Sequence, residues 1–189
     1  MKIIVIGAGA MGCLYGAYLS KHNDVTMLDV YEPQVENINK NGITVLEEDG
    51  TEQHFSGIRA MKSGACKEVA DLVIVFVKST HTESSLEENK DLFGENTLVM
   101  TLQNGAGNDR KIAKYVRTEN IIIGTSKHNS VNLGGGKIRH SGNGVTTIGS
   151  NLEENTHLQT VANLLTEAGF QSAVSDDIQR IIWSKLFVN

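Results

Sequence analysis

Chemistry-bearing side chains fall at four places in this sequence: the glycine run Gly7-Ala8-Gly9-Ala10-Met11-Gly12, the acid Asp29, the pair Lys78 and Asn104, and Lys185 close to the last residue, Asn189. The glycine run follows directly on the apolar stretch Ile3-Ile4-Val5-Ile6, an order that is the fingerprint of a dinucleotide-binding strand–turn–helix unit. Gly7 permits the tight reversal at the strand end. Gly9 removes a Cβ that would block a pyrophosphate, and Gly12 lets the next helix pack closely on the strand. Free N–H groups at the helix start then hold phosphate oxygens in the field of the helix dipole. Such a run alone is weak evidence, because a glycine-rich turn needs no ligand. Here Ala10 to Lys21 reads as a helix and Asp24 to Asp29 as a second strand ending in a carboxylate.

Asp29 at that strand end can accept hydrogen bonds from the ribose 2′ and 3′ hydroxyls, and it repels a 2′-phosphate. No arginine follows it closely, which predicts NADH in preference to NADPH. The plainer reading is a solvated loop acid. Lys78 follows the apolar run Leu72 to Val77, and Asn104 follows the run Thr97 to Leu102, so both emerge at the carboxyl edge of a sheet, where ligands of doubly wound folds bind. Either residue alone is unremarkable, since Asn-Gly is a common turn. Two at consecutive strand ends, in a chain with a phosphate loop, favour a site. Lys185 and Asn189 share one face of the last helix, and Lys185 also stands seven residues after Ile178, against the apolar stripe. Spacing alone favours a snorkelling lysine at an interface rim; partial burial would lower its pKa and suit it to donate a proton.

Strands and helices alternate along the chain, which predicts an α/β fold: a Rossmann-type, doubly wound, mostly parallel sheet covered on both faces. Leu72 to Val77 reads as a central strand buried on both sides. Thr97 to Leu102 and Ile121 to Ile123 read as two more, with a short helix from near Thr80 and another from Asp109 to Val116 between them. Glu32 to Asn41 reads as a helix with Pro33 in its first turn, and Ile43 to Leu46 with Gln53 to Ile58 as an inserted hairpin. Ser126 to Ile148 changes to short alternating segments broken by glycines, an antiparallel extension or cap of the sheet. Asn155 to Ala168 reads as an amphipathic helix stopped by Gly169, and Gln171 to Ser175 as a last strand. Asp176 to Asn189 reads as a helix with Ile178, Ile181, Ile182 and Leu186 on one face. That stripe is expected to meet a further domain or a second chain, as in a homodimer.

The composition is that of an ordinary globular protein, with 40 % hydrophobic and 21 % charged residues. A net charge of −5 without a basic stripe argues against nucleic acid as a partner. Cys13 and Cys66 match no metal spacing or redox pair, so no metal is expected. No apolar run reaches the ~18 residues of a membrane span, and the first strand begins at once, leaving no room for a signal peptide. A cytoplasmic location is the expectation.

Residues at several further stations carry a family resemblance: Val77-Lys78, Gln103-Asn104-Gly105, His140-Ser141-Gly142-Asn143-Gly144, Thr147-Ile148-Gly149, and Trp183-Ser184-Lys185-Leu186 with Asn189. With the opening glycines they stand in the order of the ketopantoate (2-dehydropantoate 2-) reductase family, and the chain resembles its N-terminal part. The resemblance implies NAD(P)H-dependent reduction of 2-dehydropantoate to pantoate, on the route to pantothenate and coenzyme A. It implies Lys185 as general acid, Asn104 near cofactor and substrate, Lys78 on the cofactor, Asn189 on the substrate and Ser130 near the nicotinamide. NADPH is the usual family cofactor, and many members carry an arginine near the position of Asp29; its absence here again favours NADH. The family also has a helical C-terminal domain. The expectation is therefore a cofactor domain over 1–175 and, over 176–189, the first helix of a helical substrate domain, in a chain that binds dinucleotide and turns over poorly alone. Two alternatives use the same loop: a dehydrogenase of another 2-keto or 3-hydroxy acid, including the opine type, and a non-catalytic NAD-sensing module. The second would not need Lys78, Asn104 and Lys185 around one cleft.

Overall fold

A computed structural model describes residues 1–188 of the chain. The order along it is β1 (Lys2–Ile6), α1 (Ala10–Leu19), β2 (Asp24–Asp29), α2 (Glu32–Asn41), β3 (Ile43–Leu46), β4 (Glu52–Phe55), β5 (Arg59–Lys62), β6 (Leu72–Val75), α3 (Thr82–Glu88), β7 (Leu98–Thr101), α4 (Asn108–Ile112), β8 (Ile121–Ser126), β9 (Asn129–Gly134), β10 (Lys137–Gly142), β11 (Thr146–Gly149), α5 (Leu158–Ala168), β12 (Ser172–Val174) and α6 (Ile178–Val188). Eight strands form one sheet in the order β12-β11-β8-β7-β6-β1-β2-β5. All neighbours from β8 to β5 are parallel, and β11 turns antiparallel against β8. The chain's first crossover leads from β1 to β2 on one side, whereas β6 returns to the other side of β1. That reversal opens a crevice beyond the carboxyl ends of β1 and β6.

Alternate residues of the central strands serve opposite faces. Ile3 and Val5 join one buried cluster with Leu14, Ile38, Val161 and Leu165, from α1, α2 and α5. Ile4 and Ile6 join the other with Leu86, Ile112, Ile178 and Ile182, from α3, α4 and α6. Two-sided burial explains why β1 and β6 read as unbroken apolar runs rather than alternating ones.

The structure corrects several boundaries. β6 ends at Val75, so Phe76 and Val77 lie beyond the strand, with a bend at Val77. α4 is one short piece, Ala113 to Tyr115 form a turn beyond it and Val116 a bend. The segment read as an extension or cap of one sheet divides: β11 extends the main sheet, whereas β9 and β10 pair with β3 and β4 in a second sheet of order β4-β3-β10-β9. There β10 lies parallel to β3, far away in sequence. The strand β5, parallel to β2 at the sheet edge, escaped the sequence pattern because Arg59-Ala60-Met61-Lys62 carries neither an apolar run nor clear alternation.

Candidate active site

The glycine turn is built by contacts that admit no side chain at two of its positions. Gly7 has φ +102°, and a Cβ there would stand 2.9 Å from the Val77 main-chain nitrogen. At Gly12 it would stand 1.9 Å from the Gly7 carbonyl oxygen, so the close approach is to the turn itself more than to the strand. Gly9 differs: a Cβ there would meet nothing within 4 Å. It would project into open space beside the start of α1, where no side chain among the described residues caps the helix. Uncapped N–H groups, a helix dipole and unobstructed space fit a bound pyrophosphate.

Asp29 braces this turn. Its Oδ2 accepts from the Ala8 N–H at 2.6 Å and its Oδ1 from the Tyr31 N–H at 2.9 Å. A carboxylate offers about four acceptor positions, so two remain for ribose hydroxyls. The solvated loop acid is thus replaced by an anchored one. The Ala8 carbonyl is held from the other side by Gln34 Nε2 at 3.0 Å and by the Cys13 thiol at 3.2 Å. Burial pushes the Cys13 thiol up to about 12, so it remains a neutral donor.

From Met11 in this turn a cleft of about 580 Å³ runs along the carboxyl edge of the sheet, lined also by Lys78, Asn104, Ser126, His128, Ser130 and Lys185. Gln103 sets the separation of its two central residues. Its amide donates to the Val77 carbonyl and to Thr82 Oγ1, while its Oε1 accepts from Thr101 Oγ1 at 2.9 Å. The exit of β6, which carries Lys78, is thereby tied to the exit of β7, which carries Asn104. Lys185 is half-buried, not snorkelling: its ammonium donates to the Ser126 carbonyl at 3.0 Å. Burial lowers its pKa below the ordinary 10.5. The Ser130 hydroxyl oxygen is buried with no hydrogen-bond partner among the described residues, a polar atom left to meet a bound group.

The cleft therefore brings together Met11, Lys78, Asn104, Ser130 and Lys185, with Gly7, Ala8, Gly9, Ala10, Gly12 and Asp29 in the braced turn at its end. Asn189 lies outside the described residues. Sequence reasoning missed Gln34, Ser126 and His128, and it quoted Gln103 and His140 only within motifs. Their contacts are long-range and leave no local pattern. Among the described residues no group of three or more His, Cys, Asp or Glu could hold a metal ion, and no helix is long and apolar enough to cross a membrane.

A Rossmann-type sheet whose uncapped glycine turn opens on a cleft fits the dinucleotide-binding proteins, and a half-buried lysine across that cleft fits an oxidoreductase among them. Comparison narrows the class: residues 3–153 match the family described as Ketopantoate reductase PanE/ApbA. The chain belongs to that family. Along its whole length it is 31 % identical to 2-dehydropantoate 2-reductase of Streptococcus pyogenes serotype M3, of which it covers 61 %. Among solved structures, 2-dehydropantoate 2-reductase from Geobacter metallireducens GS-15 superposes with a TM-score of 0.90 at 31 % identity, over 100 % of this chain and 62 % of that one. D-mandelate dehydrogenase, solved with NADH and anilino(oxo)acetate, superposes with a TM-score of 0.93 at 29 % identity, over 100 % of this chain and 61 % of that one. The chain thus spans about three-fifths of the length of these relatives.

Proposed function

We propose that this chain forms the cofactor half of an NAD(P)H-dependent reductase that converts 2-dehydropantoate to pantoate. The observation that carries the proposal is the single cleft that joins the glycine turn at Met11 to Lys185, with Lys78 and Asn104 on consecutive strand exits between them. A bound reduced nicotinamide dinucleotide supplies the hydride. The uncapped start of α1 takes the pyrophosphate, Asp29 takes ribose hydroxyls, and Lys78 and Ser130 hold the cofactor farther along. Asn104 orients cofactor and keto acid through its amide, and Asn189 binds the substrate. Lys185 donates its proton to the ketone oxygen as negative charge develops there, and its lowered pKa favours that transfer. Residues 1–175 form the cofactor domain, and 176–189 begin a helical substrate domain. Asp29 favours NADH, with NADPH as the weaker cofactor. The expected setting is the cytoplasm.

A second reading, reduction of a different 2-keto acid, is favoured by one finding: the likeness to a D-mandelate dehydrogenase solved with NADH and anilino(oxo)acetate. Steady-state rates of the full-length protein with 2-dehydropantoate and with aryl 2-keto acids, each with NADH and NADPH, separate the two. A kcat/KM for 2-dehydropantoate above that for every aryl acid supports the first reading. The opposite order establishes the second.

A further inference from the structure

The second sheet reaches the cleft through a series of linked polar groups, buried at His140, His128 and Ser126 and half-buried at Glu47. Glu47, just past β3, accepts at Oε2 from His140 Nδ1 at 2.8 Å, and at Oε1 from the Tyr18 hydroxyl and the Gln53 amide. His140 Nε2 lies 3.0 Å from His128 Nδ1. The His128 main-chain N–H donates to Ser126 Oγ at 3.1 Å, and the buried Tyr15 hydroxyl donates to the same oxygen at 3.0 Å. The Ser126 carbonyl is the acceptor for Lys185.

Proton placement follows from the end group. A carboxylate only accepts, so His140 carries its proton on Nδ1. With His140 neutral, its Nε2 accepts and His128 donates from Nδ1. With His140 protonated, the direction reverses and His128 accepts. Neither arrangement requires a charge on His128, which is 7 % exposed and packs edge-on to Tyr15 and Phe170. The titratable groups facing this pair are Tyr15 and Tyr18 from α1, Glu47 beyond β3, and Lys185 from α6 across the Ser126 carbonyl.

We propose that Glu47, His140 and His128 are positioning residues: together they hold the turn between β8 and β9 so that the Ser126 carbonyl meets the half-buried Lys185 with no acidic group of the clamp against it. The inference rests on the reading of Lys185 as the acid, but its direct readout does not. Loss of the clamp admits water to this contact, and Lys185 then returns toward ordinary lysine behaviour because burial alone lowers its pKa.

The test follows the Lys185 titration by NMR in the 189-residue chain with 13C-methylated lysines and no dinucleotide or keto acid present, K185R identifying the signal. H128F and E47Q should each raise the Lys185 midpoint by about half a pH unit or more, and H128Q, whose amide can still bond His140, should restore it. If H128F melts without a cooperative transition, E47Q decides. Midpoints unchanged to within about 0.2 in the folded variants overturn the proposal. Failure of the reductase reading shows separately, as undiminished turnover in a Lys185 variant.

Discussion

An ammonium held against a main-chain carbonyl in a half-buried cleft, with no counter-ion among the described residues, loses hydration, so its proton becomes easier to release. That is the situation of Lys185 beside the Ser126 carbonyl. Sequence spacing alone placed this lysine at an interface rim, because the groove that receives it is made by β8 and β9, strands far away in the chain. Asp29 changed in the same way: its position at a strand end was legible, but its hold on the Ala8 N–H depends on how β1 and β2 are registered. His128 carries a prediction about pH. Burial, with the neighbouring His140 adding to it, pushes its pKa from 6.5 down to about 4. Between those values the unfolded chain binds the proton and the folded chain does not. Stability should therefore be highest above pH 6.5 and fall as the pH drops toward 4, by roughly 3 kcal/mol at most from this group. Urea melts at pH 8 and pH 5 check it, since H128Q should lose less stability between the two than the parent chain does.

Among the elements, the strand–turn–helix start shows how three glycines of one motif differ physically. A methyl at Gly12 would collide with the Gly7 carbonyl, whereas a methyl at Gly9 would enter only empty space. G12A is expected to cost about 2–3 kcal/mol of stability or more, read as a fall in the melting midpoint. G9A should leave stability within about 0.5 kcal/mol and weaken NADH binding at least ~10-fold in a fluorescence titration. An unweakened G9A would remove the pyrophosphate from this turn. β1 and β6 were legible as unbroken apolar runs, α1 and β2 from their place around the glycine run, α2 from Pro33 and Gly42 at its ends, and α5 from one apolar stripe. β5 was not, and neither was the division of β9 to β11 between two sheets. The parallel pairing of β10 with β3 rests on contacts that no short window of sequence contains.

The whole molecule presents a finished cradle and an open far side. Ile178 and Ile182 of α6 are buried against the sheet, but Trp183 is 51 % and Phe187 87 % exposed, and the chain spans about three-fifths of its relatives' length. On this account the 189-residue chain binds NADH, measured by calorimetry, yet reduces 2-dehydropantoate at least ~100-fold more slowly than the longer 2-dehydropantoate 2-reductases of which it spans about three-fifths. Comparable rates would show that the described cleft suffices by itself. The glycine run, Asp29, Lys78, Asn104 and Lys185 could be picked out one by one from strand ends and helix spacing; that one cleft joins Met11 of that run to Lys78, Asn104 and Lys185 follows only from the sheet order β7-β6-β1 and the seating of α6 on β8. The most direct test of that cleft is K185A in the full-length protein, assayed for 2-dehydropantoate reduction alongside NADH affinity. The account predicts a fall in kcat of at least ~100-fold with the NADH Kd changed less than about threefold. Turnover within a few-fold of the parent protein would contradict it.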